Sequence, residues 1–371
     1  MMANPFRYGI VVDEPYFIDR KGEIRDFQQW LKSSQRLMVY SPRRFGKTSL
    51  ILKVLKNLRQ EGYHCVYLDF FKVHSRARFA ELYYDAIIRS MSSFEKAVKK
   101  ISALVRSIHP VLSFDHFGNP NISVQFDAPP GELDLTGVFD LPQKLADEKP
   151  WIVVFDEFQD IGKLNGEHFE KELRAALIHH DKVGYVFMGS QRHMLLNMFT
   201  QRKRAFYRFG QLYELKKIPP EVMQDHLMQM FRDTGFSPTG ELCGRIIEIS
   251  NNIPHYVQYL ASAVWEKGRE KEQRLDQEVL EEAVNKIVTN QNDYFFSLYD
   301  RLTAYQQKVL RAVQVSNKNI LSAEFSMRFR LSTPSSIQRA MQRLEKDGIL
   351  ERHGRAWYFT DPFFNYWLQA L

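Results

Sequence analysis

A run of basic, small and hydroxyl-bearing residues at positions 41–49 has the composition and spacing of a phosphate-binding loop. An apolar segment, residues 37–40, leads into Ser-Pro-Arg-Arg-Phe-Gly-Lys-Thr-Ser, which matches GxxxxGK[ST] except that Ser41 replaces the first glycine. In such a loop, successive backbone N–H groups and a helix N-terminus surround an anion. The residues predicted to bind phosphate are Pro42, Arg43, Arg44, Phe45, Gly46, Lys47, Thr48 and Ser49.

Three residues of this loop have distinct chemical roles. Lys47 is predicted to reach the β and γ phosphates, and the Thr48 hydroxyl is predicted to complete the ligand shell of Mg²⁺. Gly46 lets the backbone pass close to the ligand because it has no Cβ. The alternative is a basic turn that binds nothing, but the apolar segment before it and the helical pattern after it favour a phosphate loop.

Two carboxylates follow the strand candidate at 151–155. The run Trp-Ile-Val-Val-Phe ends in Asp156 and Glu157. A phosphate loop needs an acid at the end of a neighbouring strand, and Asp156 is predicted to hold Mg²⁺ there, usually through water. Glu157 is predicted to polarise the attacking water. The presence of both acids favours hydrolysis over nucleotide binding alone.

Three further polar residues are candidates for contact with the terminal phosphate. Ser190 and Gln191 follow the strand candidate at 183–188, at the edge where ligands bind in open α/β sheets. Either residue is a γ-phosphate sensor, or the pair only ends the strand. Arg208 is a candidate arginine finger, although its basic neighbours also fit a solvated loop.

These residues require a sheet and helices to position them. Short runs rich in Val, Ile, Tyr and Phe predict buried parallel strands at 37–40, 65–68, 151–155, 183–188 and 212–215. Helical spacing is found between Gly46 and Gln60, and a turn sequence predicts a hairpin inserted at about 113–140. We therefore predict an α/β core with a parallel sheet at residues 1–218.

The remaining sequence predicts helices and one further hairpin. Helical patterns at 219–233, 239–250, 254–269 and 276–297 predict an all-helical lid subdomain at 219–300. Within 301–371, helices at 303–315, 323–329 and 335–347 precede a hairpin at 349–359. This order predicts a helix-turn-helix with a wing, that is, a winged-helix domain.

One helix of that domain is amphipathic and basic. An apolar face at positions 337, 340, 341 and 344 lies opposite Arg339, Arg343 and Lys346. With Arg352 and Arg355 of the hairpin, these residues are candidates for contact with double-stranded DNA. The alternative is a surface that binds the chain's own core or a protein partner.

Charge and cysteine content narrow the class of protein. The net charge is +7. The two ends are basic, with 20 basic and 10 acidic residues in 1–110 and 11 and 5 in 301–371, and the segment between them is acidic. Basic segments suggest polyanion partners. Two cysteines cannot form a disulfide framework or a four-thiolate site. No apolar stretch approaches the roughly 20 residues that span a bilayer, so we expect a cytoplasmic protein without a membrane partner.

The order of these motifs resembles the archaeal-type ATPase family, in the STAND/AAA+ branch of P-loop NTPases. The similarity is carried by Asn-Pro-Phe at 4–6, Phe-Ile-Asp-Arg at 17–20, the loop at 42–50, Asp-Glu-Phe-Gln at 156–159, Gly-Ser at 189–190, Phe-Tyr-Arg at 206–208, and Tyr-Phe-Thr-Asp-Pro at 358–362 with Trp367. The resemblance implies ATP as ligand, a five-stranded core, a helical lid and a C-terminal winged helix.

The resemblance also bears on individual residues. It implies that Phe17, Asp19 and Arg20 lie near the adenine, whereas the loop alone does not distinguish ATP from GTP. A lid motif of that family usually has the sequence Gly-x-Pro, and here Asn252 takes the place of the glycine.

Three functions are compatible with the sequence. The first is a Mg²⁺-dependent ATPase switch whose nucleotide state repositions the winged helix. The second is a nucleotide-gated DNA-binding regulator. The third is a signalling scaffold whose winged helix contacts the chain's own core, a protein partner or another copy of the chain. In the second and third, hydrolysis is weak or incidental.

Overall fold

The computed structural model describes the chain except residues 1–2, 19, 92–100, 102–103, 105–107, 115–119, 127–134, 165, 273 and 355, and it gives only the backbone at 108–114, 120–126 and 353. Asp19 and Arg355, both predicted site residues, therefore lie outside the described residues. The chain divides into two units, residues 13–216 and residues 1–12 with 217–371. No helix of the described part is both long and apolar enough to cross a membrane.

The unit at 13–216 contains the predicted parallel sheet. Its strands are β1 (Arg36–Tyr40), β2 (His64–Asp69), β3 (Ile108–Phe114), β4 (Pro120–Phe126), β5 (Trp151–Asp156), β6 (Val183–Gly189) and β7 (Gln211–Glu214). Its helices are α1 (Lys21–Lys32), α2 (Lys47–Gln60), α3 (Arg76–Ser90), α4 (Thr136–Phe139), α5 (Leu141–Leu145), α6 (Glu167–Leu177) and α7 (Arg192–Thr200), with 3₁₀ turns at Phe70–Lys72 and Phe158–Lys163. The α/β fold and the five predicted strands are confirmed, each strand to within one residue at either end.

The five strands are parallel and lie in the order β2-β5-β6-β1-β7. The sequence predicts that the acid-bearing strand β5 is a neighbour of β1, and this is wrong. Strand β6 lies between them and pairs with both. Alternate residues of β1, β2, β5 and β6 enter two separate cores, whereas β7, an edge strand, has three of its four residues exposed and so is not the buried strand that was predicted. Met38 of β1 packs in one with β5 residues Val153 and Phe155, and Val39 packs in the other with α2. Burial on both faces explains why the segments of these four strands are rich in apolar residues.

The inserted hairpin is present but starts earlier than predicted. Strand β3 pairs antiparallel with β4, from Ile108 opposite Phe126 to Phe114 opposite Pro120. The turn that joins them lies outside the described residues. Helix α4 occupies the end of the predicted hairpin segment, and α5 follows directly after it.

The second unit is mainly helical. Its helices are α8 (Pro220–Arg232), α9 (Gly240–Ile249), α10 (Pro254–Glu270), α11 (Gln277–Asn290), α12 (Asn292–Asp300), α13 (Ala304–Val315), α14 (Ala323–Arg328), α15 (Pro334–Lys346) and α16 (Pro362–Ala370). The single helix predicted at 276–297 is wrong, because the chain breaks at Gln291 into α11 and α12. Asn292 accepts a hydrogen bond from Trp367 of α16 at 2.9 Å, a long-range contact at the break that local periodicity could not reveal.

Residues 3–12 belong to this unit and pack within it. Asn4 donates to the Ser262 hydroxyl of α10 at 2.9 Å, and the Phe6 and Phe231 rings lie 4.6 Å apart. The predicted α/β core of 1–218 includes these residues, because they directly precede it in the chain. The further division at residue 300, between a lid and a winged helix, stays a prediction.

The winged helix has the predicted elements and one more. Helices α13, α14 and α15 precede the antiparallel strands β8 (Leu350–His353) and β9 (Ala356–Phe359). The predicted apolar face of α15 is buried at Ile337, Ala340, Met341 and Leu344. The additional helix, α16, buries Phe363, Phe364 and Trp367.

Asn252 occupies a position that favours glycine. Its φ is +50°, in the left-handed region, and its side-chain amide donates to the Ile218 carbonyl at 2.8 Å. Asparagine tolerates this backbone better than most residues do. The departure from Gly-x-Pro thus keeps the backbone conformation and adds a hydrogen bond.

We expect Asn252→Ala to lower the free energy of unfolding by about 2 kcal/mol, since it combines left-handed strain with a lost hydrogen bond. Asn252→Gly loses only the hydrogen bond and should cost about 1 kcal/mol. Urea unfolding of both variants measures the difference. Equal losses would show that the left-handed conformation costs alanine nothing here.

Candidate phosphate and metal site

The loop between β1 and α2 leaves the first turn of α2 open to an anion. Arg44 and Gly46 have φ values of +70° and +85°, which turn the backbone back toward the helix start. No side chain caps α2 and no acidic residue lies in its first turn. A helix start without a side-chain cap or an acidic residue is the kind of site where backbone N–H groups bind an anion. A Cβ on Gly46 would meet nothing within 4 Å, so the positive φ, not crowding, calls for glycine there.

Lys47 lies across this loop with its ammonium on neutral oxygens. Nζ donates to the carbonyls of Ser41 at 2.9 Å and Pro42 at 3.1 Å, and to the Ser41 hydroxyl at 3.2 Å. Burial lowers the pKa of Lys47 to about 8, although the carboxylates of Glu157 and Asp156 act in the opposite direction. Ser41, in the place of the usual glycine, supplies a hydroxyl that glycine could not.

Three donors hold the Asp156 carboxylate. Oδ2 accepts from the Thr48 hydroxyl at 3.3 Å and from the Tyr67 hydroxyl, and Oδ1 accepts from the Glu157 N–H at 2.8 Å. Burial raises the pKa of Asp156, and the hydrogen bonds from Tyr67 and Glu157 oppose that rise. A carboxylate beside a threonine hydroxyl offers the hard oxygen ligands that Mg²⁺ prefers, so the residues present fit this metal.

The Glu157 carboxylate is held by residues that follow two different strands. Its Oε2 accepts from the Ser190 hydroxyl at 2.9 Å, from the Ser190 N–H at 3.3 Å and from the Gln159 amide. Arg43 of the phosphate loop donates to the same Ser190 hydroxyl at 3.4 Å. Glu157 itself has a φ of +47°, which a turn directly after β5 requires. The structure thus joins three predicted residues, Arg43, Glu157 and Ser190.

Gly189 is needed because Gln159 approaches it closely. A Cβ at position 189 would lie 2.0 Å from Oε1 of Gln159 and 2.9 Å from a methyl of Leu195. The glycine that precedes Ser190 therefore leaves space for a residue that holds Glu157. This gives a physical role to the Gly-Ser pair noted in the sequence.

Other predicted residues of this unit have structural contacts. Phe45 is only 3% exposed and belongs to the interior, so any contact it makes with phosphate is through its backbone. The buried Arg20 guanidinium donates to the carbonyls of Phe45 and Lys216 at 3.2 and 3.1 Å and pairs with Glu23. It braces the phosphate loop from behind. Phe17 is half-buried beside the core on the α2 side of the sheet.

Arg208 is not brought to Glu157. It precedes β7 at the amino-terminal edge of the sheet, where the neighbouring Gly210 packs against the backbone of Arg36 at the start of β1. The phosphate loop follows the opposite end of β1. The Arg208 guanidinium lies over the Tyr207 ring, 5.3 Å from its centroid. This placement does not support Arg208 as an arginine finger for a nucleotide on its own chain.

Sequence reasoning missed two residues of the site. Tyr67 was part of a predicted strand, but nothing in its spacing indicated that its hydroxyl reaches Asp156. Gln159 was noted in the Asp-Glu-Phe-Gln motif without a role, and its position two residues after Glu157 was the only available signal. Both contacts depend on how strands and turns meet in space.

The candidate DNA-binding residues belong to the other unit. Arg339, Arg343 and Lys346 are exposed on α15, opposite its buried face, and Arg343 pairs with Asp347 at 2.8 Å. Arg352 donates to the Gly354 carbonyl at 3.0 Å, within the wing itself. The stripe on α15 is therefore present, with one of its cations partly neutralised.

Comparison with known proteins is consistent with this site. Residues 17–233 match the model of a family described as an ATPase domain predominantly from Archaea, and residues 293–370 match a probable winged helix domain. A search of curated proteins gave no match. Among solved structures, a Walker-type ATPase of Pyrococcus abyssi is 16% identical with a TM-score of 0.66, over 96% of this chain and 97% of that one.

Two Aeropyrum pernix proteins are also similar in structure. ORC2, solved as complexes with ADPNP and ADP, is 14% identical over 98% of both chains, with a TM-score of 0.53. ORC1, solved in complex with DNA, is 14% identical over 100% of this chain and 98% of that one, with a TM-score of 0.51. At these identities the similarity shows a shared fold.

Proposed function

Because the chain belongs to the family of ATPase domains found predominantly in Archaea, we propose that it binds ATP with Mg²⁺ and hydrolyses it, and that its nucleotide state repositions the winged helix. One observation carries this proposal, the convergence of Lys47, the Thr48–Asp156 pair and the Glu157–Ser190 pair at the carboxyl edge of one sheet. These are the groups that hold phosphate, hold a metal and activate water.

Each group has a separate task. Lys47 exchanges neutral carbonyl partners for phosphate oxygens, which form stronger, charge-assisted hydrogen bonds. Thr48 and Asp156 would hold Mg²⁺, which neutralises charge on the phosphates. Glu157 orients the attacking water and takes its proton. Ser190 lies between Arg43 and Glu157, so a γ-phosphate that engages either Arg43 or Ser190 also alters the hydrogen bonds of Glu157.

Phe17 is the residue we propose to contact adenine. It lies near the start of the unit at 13–216, packs against the core on the α2 side of the sheet, and is partly exposed. Competition between ATP and GTP for binding, with Mg²⁺ and with EDTA, tests the nucleotide. We expect tighter binding of ATP. Equal binding would exclude adenine recognition, and no binding of either would refute the proposed function.

Gly189→Ala tests the hydrogen bonds that hold Glu157. We expect the added methyl to displace Gln159 and lower ATP turnover by roughly tenfold to a hundredfold, because small misplacements of catalytic groups are costly. The methyl also meets the buried Leu195 side chain at 2.9 Å, so some stability should be lost as well, and turnover is compared per folded protein. Turnover, ATP binding and urea unfolding are measured together.

A glycine in the same strand provides the matched control. A Cβ on Gly184 would lie 2.8 Å from the Leu31 carbonyl, a backbone atom that cannot move aside. Gly184→Ala should therefore lose stability and leave the turnover of the folded fraction unchanged. If Gly189→Ala behaved in the same way, Gln159 would have no influence on Glu157.

A second candidate function is nucleotide-gated binding of double-stranded DNA. It is favoured by the exposed stripe of Arg339, Arg343 and Lys346 on α15. Replacing all three by glutamate should reduce the slope of log affinity against log salt by up to about 3, since each phosphate contact contributes about 0.9. An unchanged slope would leave the stripe as a surface for a protein partner or for self-association.

A further inference from the structure

Tyr67 reaches the metal site from an edge strand. In the parallel pair of β2 and β5, Asp69 lies opposite Asp156 and Tyr67 lies opposite Val154. Alternate residues share one side of a sheet, so all four side chains lie on the face that packs against α2. Two strand residues span about 6.6 Å. A tyrosine that leans along its strand can cover that distance, and its hydroxyl donates to Oδ2 of Asp156.

The three donors to Asp156 differ in what else they must do. Thr48 also donates to Oδ2, but its hydroxyl is the group proposed to ligate Mg²⁺. The Glu157 N–H engages the other oxygen, Oδ1. Tyr67 is therefore the donor that can remain on Oδ2 when the Thr48 hydroxyl turns to a metal. Without it, only Oδ1 would keep a fixed partner and the carboxylate could rotate.

We propose that Tyr67 is a positioning residue of the metal site, whose hydroxyl fixes the orientation in which Asp156 faces Mg²⁺. This inference rests on the proposed function, since it assigns a task within the Mg²⁺–ATP site. Residues that hold a metal's ligands commonly affect metal affinity as strongly as some of the ligands themselves. Tyr67 does so from β2, a strand that carries none of the predicted site residues.

The test is the Mg²⁺ dependence of nucleotide binding in Tyr67→Phe. A fluorescent ATP analogue is titrated at a series of Mg²⁺ concentrations and in EDTA. We expect the Mg²⁺ concentration for half-maximal enhancement of binding to rise about tenfold or more. Binding in EDTA should be unchanged, and excess Mg²⁺ should restore the affinity of the wild type. Tyr67→Met, which lacks the hydroxyl but repacks easily, serves if the Phe variant folds poorly.

Tyr185→Phe is the matched control. It also removes a strand tyrosine hydroxyl, but one that contacts His180 at 2.6 Å, near the start of β6 and away from the loop. It should leave the Mg²⁺ midpoint unchanged. In an Asp156→Ala background, Tyr67→Phe should have no further effect on that midpoint, because the carboxylate it positions is absent.

The outcomes separate this inference from the proposed function. If the wild type binds ATP with a Mg²⁺ dependence that Tyr67→Phe does not alter, the inference is overturned and the function stands. If Tyr67→Phe weakens binding equally in EDTA and in Mg²⁺, the hydroxyl only supports the local structure and the inference is again overturned. If the wild type binds no nucleotide, the proposed function is refuted, and this inference is overturned with it.

Discussion

Replacing Lys47 by methionine is expected to abolish ATP binding and turnover while leaving the empty protein nearly as stable as the wild type. The lysine is 8% exposed, and its ammonium is held by carbonyl and hydroxyl oxygens of Ser41 and Pro42 that carry no net charge. Burial without a directly bonded anion is costly. Methionine fills a similar volume without a charge, but it cannot bind phosphate.

The pKa of Lys47 gives this cost a magnitude and a pH window. The pKa is about 8 in the folded protein against 10.5 for a free lysine side chain, so the unfolded state binds more protons between these pH values. The buried charge therefore costs on the order of 3 kcal/mol at pH 7. That cost disappears as the pH rises from about 8 to about 10.5, and the wild type gains stability relative to the methionine variant over that range.

The loss of hydrogen bonds acts in the other direction. Methionine leaves the Ser41 and Pro42 oxygens without their donor, at about 1 kcal/mol each. At pH 7 the two effects nearly cancel, so the free energies of unfolding should agree within about 2 kcal/mol. Urea unfolding from pH 7 to pH 10, together with calorimetric ATP titration, measures both properties.

Lys56→Met is the control for this prediction. Lys56 lies on the same helix, α2, but its ammonium is exposed and pairs with Asp13. We expect its ATP binding to match the wild type and its stability relative to the wild type to vary little between pH 7 and pH 10. If Lys47→Met kept ATP affinity, the loop would not be the phosphate site. If its relative stability did not vary with pH, the Lys47 ammonium would not be desolvated in the empty protein.

The parts of this site that the sequence predicts are those encoded by local pattern. The loop from Ser41 to Ser49 and the acids after β5 are contiguous motifs that a buried strand places at the edge of the sheet. Continuous apolar runs likewise predict parallel strands. For these elements, residue type and spacing contain the information.

The parts that were missed depend on contacts between distant segments. The Tyr67–Asp156 hydrogen bond depends on the pairing of β2 with β5. The position of β6 between β5 and β1 depends on the order of the strands in the sheet, which differs from their order in the chain. The helix break at Gln291 lies next to Asn292, which accepts a hydrogen bond from Trp367, 75 residues later in the chain. Spacing within a segment cannot encode such relations. Arg208 shows that a local motif can also mislead. Its residue type suits an arginine finger, but the fold places it at the edge of the sheet opposite the phosphate loop.

Glu157→Gln is expected to lower ATP turnover by a factor of about 100 to 10,000 and to leave the affinity for ATP unchanged. General base catalysis typically contributes that much to a rate. The amide has nearly the shape of the carboxylate and its oxygen can still accept from Ser190, so the loop should keep its structure. It cannot take a proton from water. Steady-state turnover and ATP affinity are measured on the same preparation.

Glu167→Gln is the matched control. It makes the same chemical change at an exposed carboxylate, 58% accessible, that forms only long ion pairs with Lys171 and Arg204. Its turnover should equal that of the wild type. If Glu157→Gln and the wild type had the same measurable rate, another group would have to activate water. If neither protein turned over ATP, the DNA-binding or scaffold function would account better for the chain.

The Glu157 substitution also tests whether the hydrogen bonds of this residue transmit the nucleotide state. In the wild type, Ser190 donates to Glu157 and accepts from Arg43, so the phosphate loop and the base share one hydroxyl. The glutamine keeps an acceptor for Ser190 but removes the charge. If ATP holds the protein in one state until hydrolysis, the variant should remain in that state for as long as ATP is bound. Limited proteolysis in ATP should then give a stable pattern in Glu157→Gln and a pattern that reverts to the ADP form in the wild type.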